Sequence, residues 1–144
     1  MKRPWLISGL TLAADQLTKL LVVTRFSPGE SLWLFPPILQ LTYIQNTGAA
    51  FGLFKGQQGL FIGVSLLVIG WMARELLAKP SMAVPSKWGC ALVLGGSVGN
   101  LIDRLRLGYV IDFIDLGVWP VFNVGDSAIT IGVALLIWQA VRHR

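Results

Sequence analysis

Four apolar stretches of this chain read as long enough to cross a bilayer, and that expectation limits its fold more than any other. They cover roughly residues 5–24, 60–78, 88–107 and 126–141. About twenty residues of helix cross the hydrocarbon core, so the last stretch sits near the short end of the range. Lipid offers no partner to a bare backbone N–H or C=O, so each stretch reads as α-helix. The whole chain agrees. Its 144 residues are 54% hydrophobic and only 13% charged, with a mean hydropathy of +0.67, too apolar for an ordinary soluble domain. The expected architecture is one membrane domain, residues 1–144: an α-helical integral membrane protein with four transmembrane helices.

The start, Met-Lys-Arg before an apolar run, imitates a secretory signal peptide. Apolar residues continue past Ala13 and Ala14 to Val22 and Val23, which makes it an uncleaved first span. The net charge of +5 raises nucleic acid as a partner, but the cations are scattered over segment ends and fit membrane topology instead. Lys2, Arg3, Arg74, Lys79, Lys87, Arg142 and Arg144 fall on one side with Glu75 as their only acid. The other acids share the opposite side with Lys19, Arg25, Lys55, Arg104 and Arg106. Positive charge marks the cytoplasmic side, so both termini are expected there. Trp5, Trp71, Trp88 and Trp138 then lie near the inner interface, and Trp33 and Trp119 near the outer one. The lone Cys90 reads as a small buried hydrophobe, and His143 as part of a solvated tail.

Residues 26–59 are too long a connection to lack structure of their own, and form an extracytoplasmic cap. Leu39-Gln40-Leu41-Thr42-Tyr43 alternates as a short strand does, between the punctuation of Phe35-Pro36-Pro37 and the turn residues Asn46-Thr47-Gly48. Residues 49–54 are apolar but too short to span, and suit an interfacial flap. A small β-sheet and this flap are expected over the outer ends of the helices.

Carboxyls are costly in so apolar a chain, and two of them sit at the watery ends of apolar segments. If the third span closes at Gly108, Asp112 lies in a loop just past its C-terminus, where the helix dipole disfavours an anion. Asn123 is a good N-cap and places Asp126 in the first turn of the fourth helix, where the dipole favours one. Two such acids close together share a proton, with Asp126 the anion and Asp112 the acid. A pair of that kind activates water against a carbonyl. Taken singly, Asp126 reads as a helix start and Asp112 and Asp115 as loop acids. Asp103 beside Arg104 reads as a local ion pair. Asp15 and Lys19, four apart on one helical face, neutralise each other and can brace the site. Asn100 and Arg104 repeat that spacing, and Arg104 offers donors to a substrate carbonyl or snorkels to water. Asn46 before Gly48 reads equally as a turn former.

These residues carry a family resemblance. Asp15-Gln16-Leu17-Thr18-Lys19, Asn46-Thr47-Gly48-Ala49-Ala50-Phe51, Gly99-Asn100-Leu101-Ile102-Asp103-Arg104, Gly108-Tyr109-Val110-Ile111-Asp112-Phe113 and Phe122-Asn123-Val124-Gly125-Asp126 occur in order across the chain. Together they resemble the bacterial lipoprotein signal peptidases, or signal peptidase II. The resemblance implies an aspartyl endopeptidase of the cytoplasmic membrane, with Asp112 and Asp126 catalytic. It implies that Asn46, Gly48, Asn100, Arg104 and Asn123 hold the substrate, with Asp15 and Lys19 in support. The substrate implied is a prolipoprotein bearing diacylglycerol on the cysteine after the cut, met at the extracytoplasmic side. Membrane lipids are the other expected partners. No nucleic acid, metal or cofactor is expected, and the chain is expected to act as a monomer. One departure is Gly125, where the family usually has alanine; a slightly looser helix start with retained activity is expected. The short connection over residues 116–121 is a second place where substrate access can differ. Two other classes compete: a small proton-coupled transporter using intramembrane carboxylates, and a non-catalytic assembly or chaperone subunit.

Overall fold

The computed structural model describes residues 2–48 and 56–142. In order come α1 (Lys2–Arg25), β1 (Ser31–Phe35), β2 (Leu39–Asn46), α2 (Gln58–Ala78), α3 (Val84–Leu107), β3 (Val110–Asp115) and α4 (Val124–Arg142). The expected flap and the His143 tail lie outside the described residues.

Three helices, Arg3–Arg25, Gln58–Ala78 and Val124–Arg142, are long and apolar enough to cross a membrane. The helix expected as the third span, α3, is not among them, because Lys87, Asn100, Asp103, Arg104 and Arg106 dilute its apolar character. It is nevertheless the hub, packed against α1, α2 and α4 and buried along much of its length. Polar groups are tolerated there because they point at partners inside the bundle. The outer helices instead expose large side chains such as Leu6, Leu10, Leu67 and Val141.

Helix ends follow local chemistry. α3 starts earlier than expected, at Val84, because a proline suits the first turn, and it ends at Gly108. There φ is 77°, and the Gly108 N–H reaches the Arg104 carbonyl at 3.1 Å. Glycine also sets how closely α3 and α4 meet. A Cβ on Gly96 would collide with the Gly125 carbonyl oxygen, and one on Gly89 would lie 2.8 Å from that of Gly132. Small residues let helix backbones touch, which supplies packing where lipid gives no hydrophobic drive. Gly96→Val is therefore expected to destabilise the fold by about 1–3 kcal/mol through overpacking. Gly63→Val, where an added Cβ meets nothing within 4 Å, is the control. Thermal unfolding in detergent compares the two.

The strands form one antiparallel sheet in the order β1-β2-β3. Only part of β2 was legible from alternation. β1 (Ser-Leu-Trp-Leu-Phe) is exposed throughout and β3 (Val-Ile-Asp-Phe-Ile-Asp) starts with four buried residues, so neither shows a period of two. A *cis* Pro36–Pro37 bond lies between β1 and β2. Val22, Tyr43, Ile111 and Phe113 pack into a core beneath the sheet, and Met72, Leu76, Cys90, Val93 and Leu94 into another between α2 and α3. Asp115 is a strand residue, not a loop acid. It accepts from Gln40 Nε2 at 2.7 Å, Thr42 Oγ1 at 2.8 Å and the Gly117 N–H at 2.8 Å, tying β3 to β2.

Candidate active site

Asp112 stands on β3 rather than in a loop, and pairing with β2 aims its side chain. Ile44 lies opposite Asp112 and Asn46 opposite Val110, so Asn46 is its diagonal neighbour on the same sheet face. Asn46 Nδ2 donates to Asp112 Oδ2 at 2.8 Å. The Asn46 Oδ1 is held by the Gly48 N–H at 2.9 Å, which leaves the amide nitrogen facing the carboxyl. Asn46 is thus both a turn former and a neighbour of the acid.

Asp126 arrives from the first turn of α4. The Asp126 N–H donates to Asn123 Oδ1 at 2.8 Å, and the Asn123 N–H reaches back to Asp126 Oδ2 at 3.4 Å. This is a reciprocal N-terminal cap, and it is the arrangement the Asn-x-x-Asp spacing predicts. With its Oδ1 occupied, Asn123 turns its Nδ2 toward Asp112 Oδ1 at 2.8 Å, and more distantly toward Asn100 Oδ1 and the Ile111 carbonyl. One asparagine therefore contacts both acids. Asn100 completes the set, donating Nδ2 to Asp126 Oδ1 at 2.8 Å.

The Asn100 amide is oriented from behind by a buried ion cluster. Lys19 Nζ lies 2.8 Å from each of Asn100 Oδ1, Asp15 Oδ2 and Asp103 Oδ2. Lys19 is 2% exposed and Asp15 0%, so the charges have only one another and their hydrogen bonds. Asp15 Oδ1 accepts the Gly125 N–H at 2.7 Å, and Asp103 Oδ2 the Ile111 N–H at 3.1 Å. Gln16 Nε2 bridges Asp15, Asp103 and the Gly99 carbonyl. The cluster thereby joins α1, α3, β3 and the start of α4. Gly125 fits this junction closely: a Cβ there would sit 3.0 Å from both Asp15 Oδ1 and the Gly96 carbonyl oxygen.

Asp103 is therefore not the local partner of Arg104. The Arg104 guanidinium lies over the Phe61 ring, 5.1 Å from its centroid, on the wall of the cavity that holds both acids. That cavity, of about 340 Å³, also includes Asn46, Gly48 and Asn100 in its lining. Asn123, 0% exposed, lies beneath the carboxyls and outside the lining, as do Asp15 and Lys19. Sequence reasoning missed Phe61, Thr130 and Phe122, while Trp119, Pro120 and Val121 of the lining fall in the 116–121 connection where substrate access is expected to differ. It also gave no role to Gln16, whose neighbour position to Asp15 carries no helical-face signal.

Burial pushes the Asp112 carboxyl up to about 7, with the Asp126 charge as the next cause, against the donations of Asn46 and Asn123. At neutral pH Asp112 then holds a proton much of the time while facing a second carboxyl across one cavity. Such an arrangement can take a proton from water and give one to a substrate oxygen.

Known proteins resemble this chain in sequence and fold. The family profile described as signal peptidase (SPase) II matches residues 7–142. A lipoprotein signal peptidase of *Moorella thermoacetica* is 47% identical over 134 residues, covering 93% of this chain and 89% of that protein. One from *Halothermothrix orenii* is 42% identical, covering 90% and 91%. A solved bacterial membrane enzyme, determined at 2.3 Å by the in meso method, superposes with a TM-score of 0.93 at 29% identity. The match covers 99% of this chain and 89% of that one.

Proposed function

We propose, from the premise that this chain belongs to the signal peptidase II family, that it removes signal peptides from prolipoproteins as an aspartic endopeptidase of a bacterial membrane. The observation carrying this reading is that one buried asparagine, Asn123, bonds to both Asp112 and Asp126 at a single cavity. The proton-coupled transporter gains no support from these relatives, which are named as peptidases.

In the proposed reaction Asp126 takes a proton from a water held between the acids, and the resulting hydroxide adds to the scissile carbonyl carbon. Asp112 gives its proton to the carbonyl oxygen, which makes a neutral gem-diol. The Asp126 carboxyl then protonates the amide nitrogen, the C–N bond breaks, and Asp112 recovers a proton from a diol hydroxyl. Asn46 and Asn100 fix the two carboxyls, and Arg104 with Gly48 meets the substrate backbone, so positioning supplies part of the rate. Asn123, being enclosed, acts through the carboxyls rather than on the substrate.

The substrate is a prolipoprotein with diacylglycerol on the cysteine that follows the cut. Each buried methylene of that anchor contributes about 0.8 kcal/mol and fixes the depth of the scissile bond. In this reading α3 serves as a fourth span, both termini are cytoplasmic, the acids face the extracytoplasmic side, and one chain suffices. The lysine and arginine asymmetry supports that orientation.

The test is cleavage of a prolipoprotein peptide by purified protein, with and without the diacylglyceryl group. Cleavage before the cysteine is expected, favouring the lipidated peptide by at least about a hundredfold. Equal rates would remove lipid recognition from the reading, and no cleavage of either peptide would remove the peptidase.

A further inference from the structure

At the far ends of the helices from the two acids, a second cavity of about 260 Å³ opens between the start of α1, the end of α2 and the start of α3. Arg3, Trp5, Leu76, Leu77, Lys87 and Trp88 are among its lining residues, and among the described residues no acid lines it. Along α3 the thirteen residues from Lys87 to Asn100 place this cavity about 20 Å from the aspartate site. It is unrelated to the chemistry proposed there.

Among the described residues no acid neutralises the cations of this cavity. Glu75, the acid at this end, is taken by Lys79 at 2.6 Å and Arg74 at 3.7 Å. Among the described residues neither Arg3 nor Lys87 has an ion-pair partner. Cations that line one hollow without a described counter-ion call for an anion, and the hollow's walls restrict which one. Trp5 and Trp88 supply amphipathic rings of the kind that settle at headgroup depth. Leu76, Leu77 and Val84 provide an apolar wall, and Leu77 and Val84 stay exposed on the bundle surface, where an acyl chain can lie. Basic pockets between membrane helices on the cytoplasmic side hold anionic lipid heads in this way.

The geometry points to a bound anionic phospholipid, its phosphate between Arg3 and Lys87 and its acyl chain along α2 and α3. Phosphatidylglycerol is a suitable probe because it differs from phosphatidylcholine in headgroup charge. Native mass spectrometry of the full chain released from detergent gives retention of each lipid without reference to cleavage. Wild type is expected to retain phosphatidylglycerol over phosphatidylcholine. Arg3→Gln with Lys87→Gln is expected to lose that preference by about 25-fold, from about fivefold per cation. Arg3→Lys with Lys87→Arg keeps the charges and is expected to keep the lipid. The charge-matched control, Arg74→Gln with Arg142→Gln, removes two cations elsewhere and is expected to behave as wild type. Equal losses in the control would reduce the effect to general charge and overturn the site. So would an unchanged preference in Arg3→Gln with Lys87→Gln, no preference in wild type, or displacement of the lipid by millimolar inorganic phosphate.

Discussion

Asp112→Asn is expected to lower the cleavage rate by about 10⁴-fold and to abolish one limb of the stability–pH profile. In the proposed reaction the first effect comes from losing a proton donor that acts with Asp126 as a unit. Positioned acid–base groups supply about 10²–10⁴ in rate, and removing one member of a unit costs most of what the unit gives. The second follows from burial. The Asp112 carboxyl has an ordinary value of 3.8 and is raised to about 7 in the folded chain. Between those values the folded state binds more protons here than the unfolded state does. This group's contribution is therefore fully present below pH 3.8, falls as pH rises, and is gone above about 7. Asparagine cannot titrate, so the decline over that window should flatten in the variant. Its own amide will oppose one of the two donors, Asn46 or Asn123, costing about 1 kcal/mol at low pH. For the wild-type enzyme, kcat/KM should fall on the alkaline side with an apparent pKa near 7 as the shared proton leaves. Thermal unfolding from pH 4 to 8 and single-turnover cleavage check the two parts separately. A variant that cleaves normally would place the chemistry elsewhere, and one that retains the full pH slope would assign the slope to another group.

The parts of this site that could be read from sequence are those fixed by neighbours in the chain. Asn123 and Asp126 lie three residues apart, and a helix cap is built from that spacing alone, so the reciprocal bonds between them were predictable. Gly108 as the end of α3 was legible for the same reason. Asp112 stands out as a candidate acid from sequence, but its strand does not, because β3 is buried on both faces and carries no alternation. Asp103 was misread for a related reason. Adjacent residues on a helix point apart, so Arg104 is badly placed to be its partner. The true partner, Lys19, comes from another helix, and only tertiary packing brings them to 2.8 Å. The amide orientations belong to the same class: each asparagine side chain faces a carboxyl because its oxygen is held by a donor, two of them local and one from Lys19. Local grammar thus picks out the residues that meet at the cavity, while the long-range ion cluster that aims them is only half visible in sequence, as the pair Asp15 and Lys19.

That cluster leads to the second large effect: Lys19→Met is expected to destabilise the folded chain by about 3–5 kcal/mol. The substitution preserves length and apolar stem, so packing alone would predict a small change. What it removes is, among the described residues, the only cation paired with Asp15 and Asp103, leaving two buried carboxylates without a described counter-charge. Breaking one side of a buried ion cluster is costly because the stranded charge keeps its desolvation penalty. The damage should also reach the cavity that holds Asp112 and Asp126. Asn100 would lose the donor that holds its Oδ1, and with it the reason its Nδ2 faces Asp126. Cleavage by the folded fraction should then drop through kcat, with KM little changed, because Lys19 is buried and away from the cavity wall. Adding Asp103→Asn to Lys19→Met removes one stranded charge and should recover part of the stability but not the rate, since the Lys19–Asn100 bond stays broken. Chemical or thermal unfolding of both variants, with single-turnover kinetics on the same samples, separates these outcomes. A Lys19→Met protein as stable as wild type would show that the cluster does not hold the fold. Wild-type kcat in the folded protein would show that Asn100 needs no orienting partner.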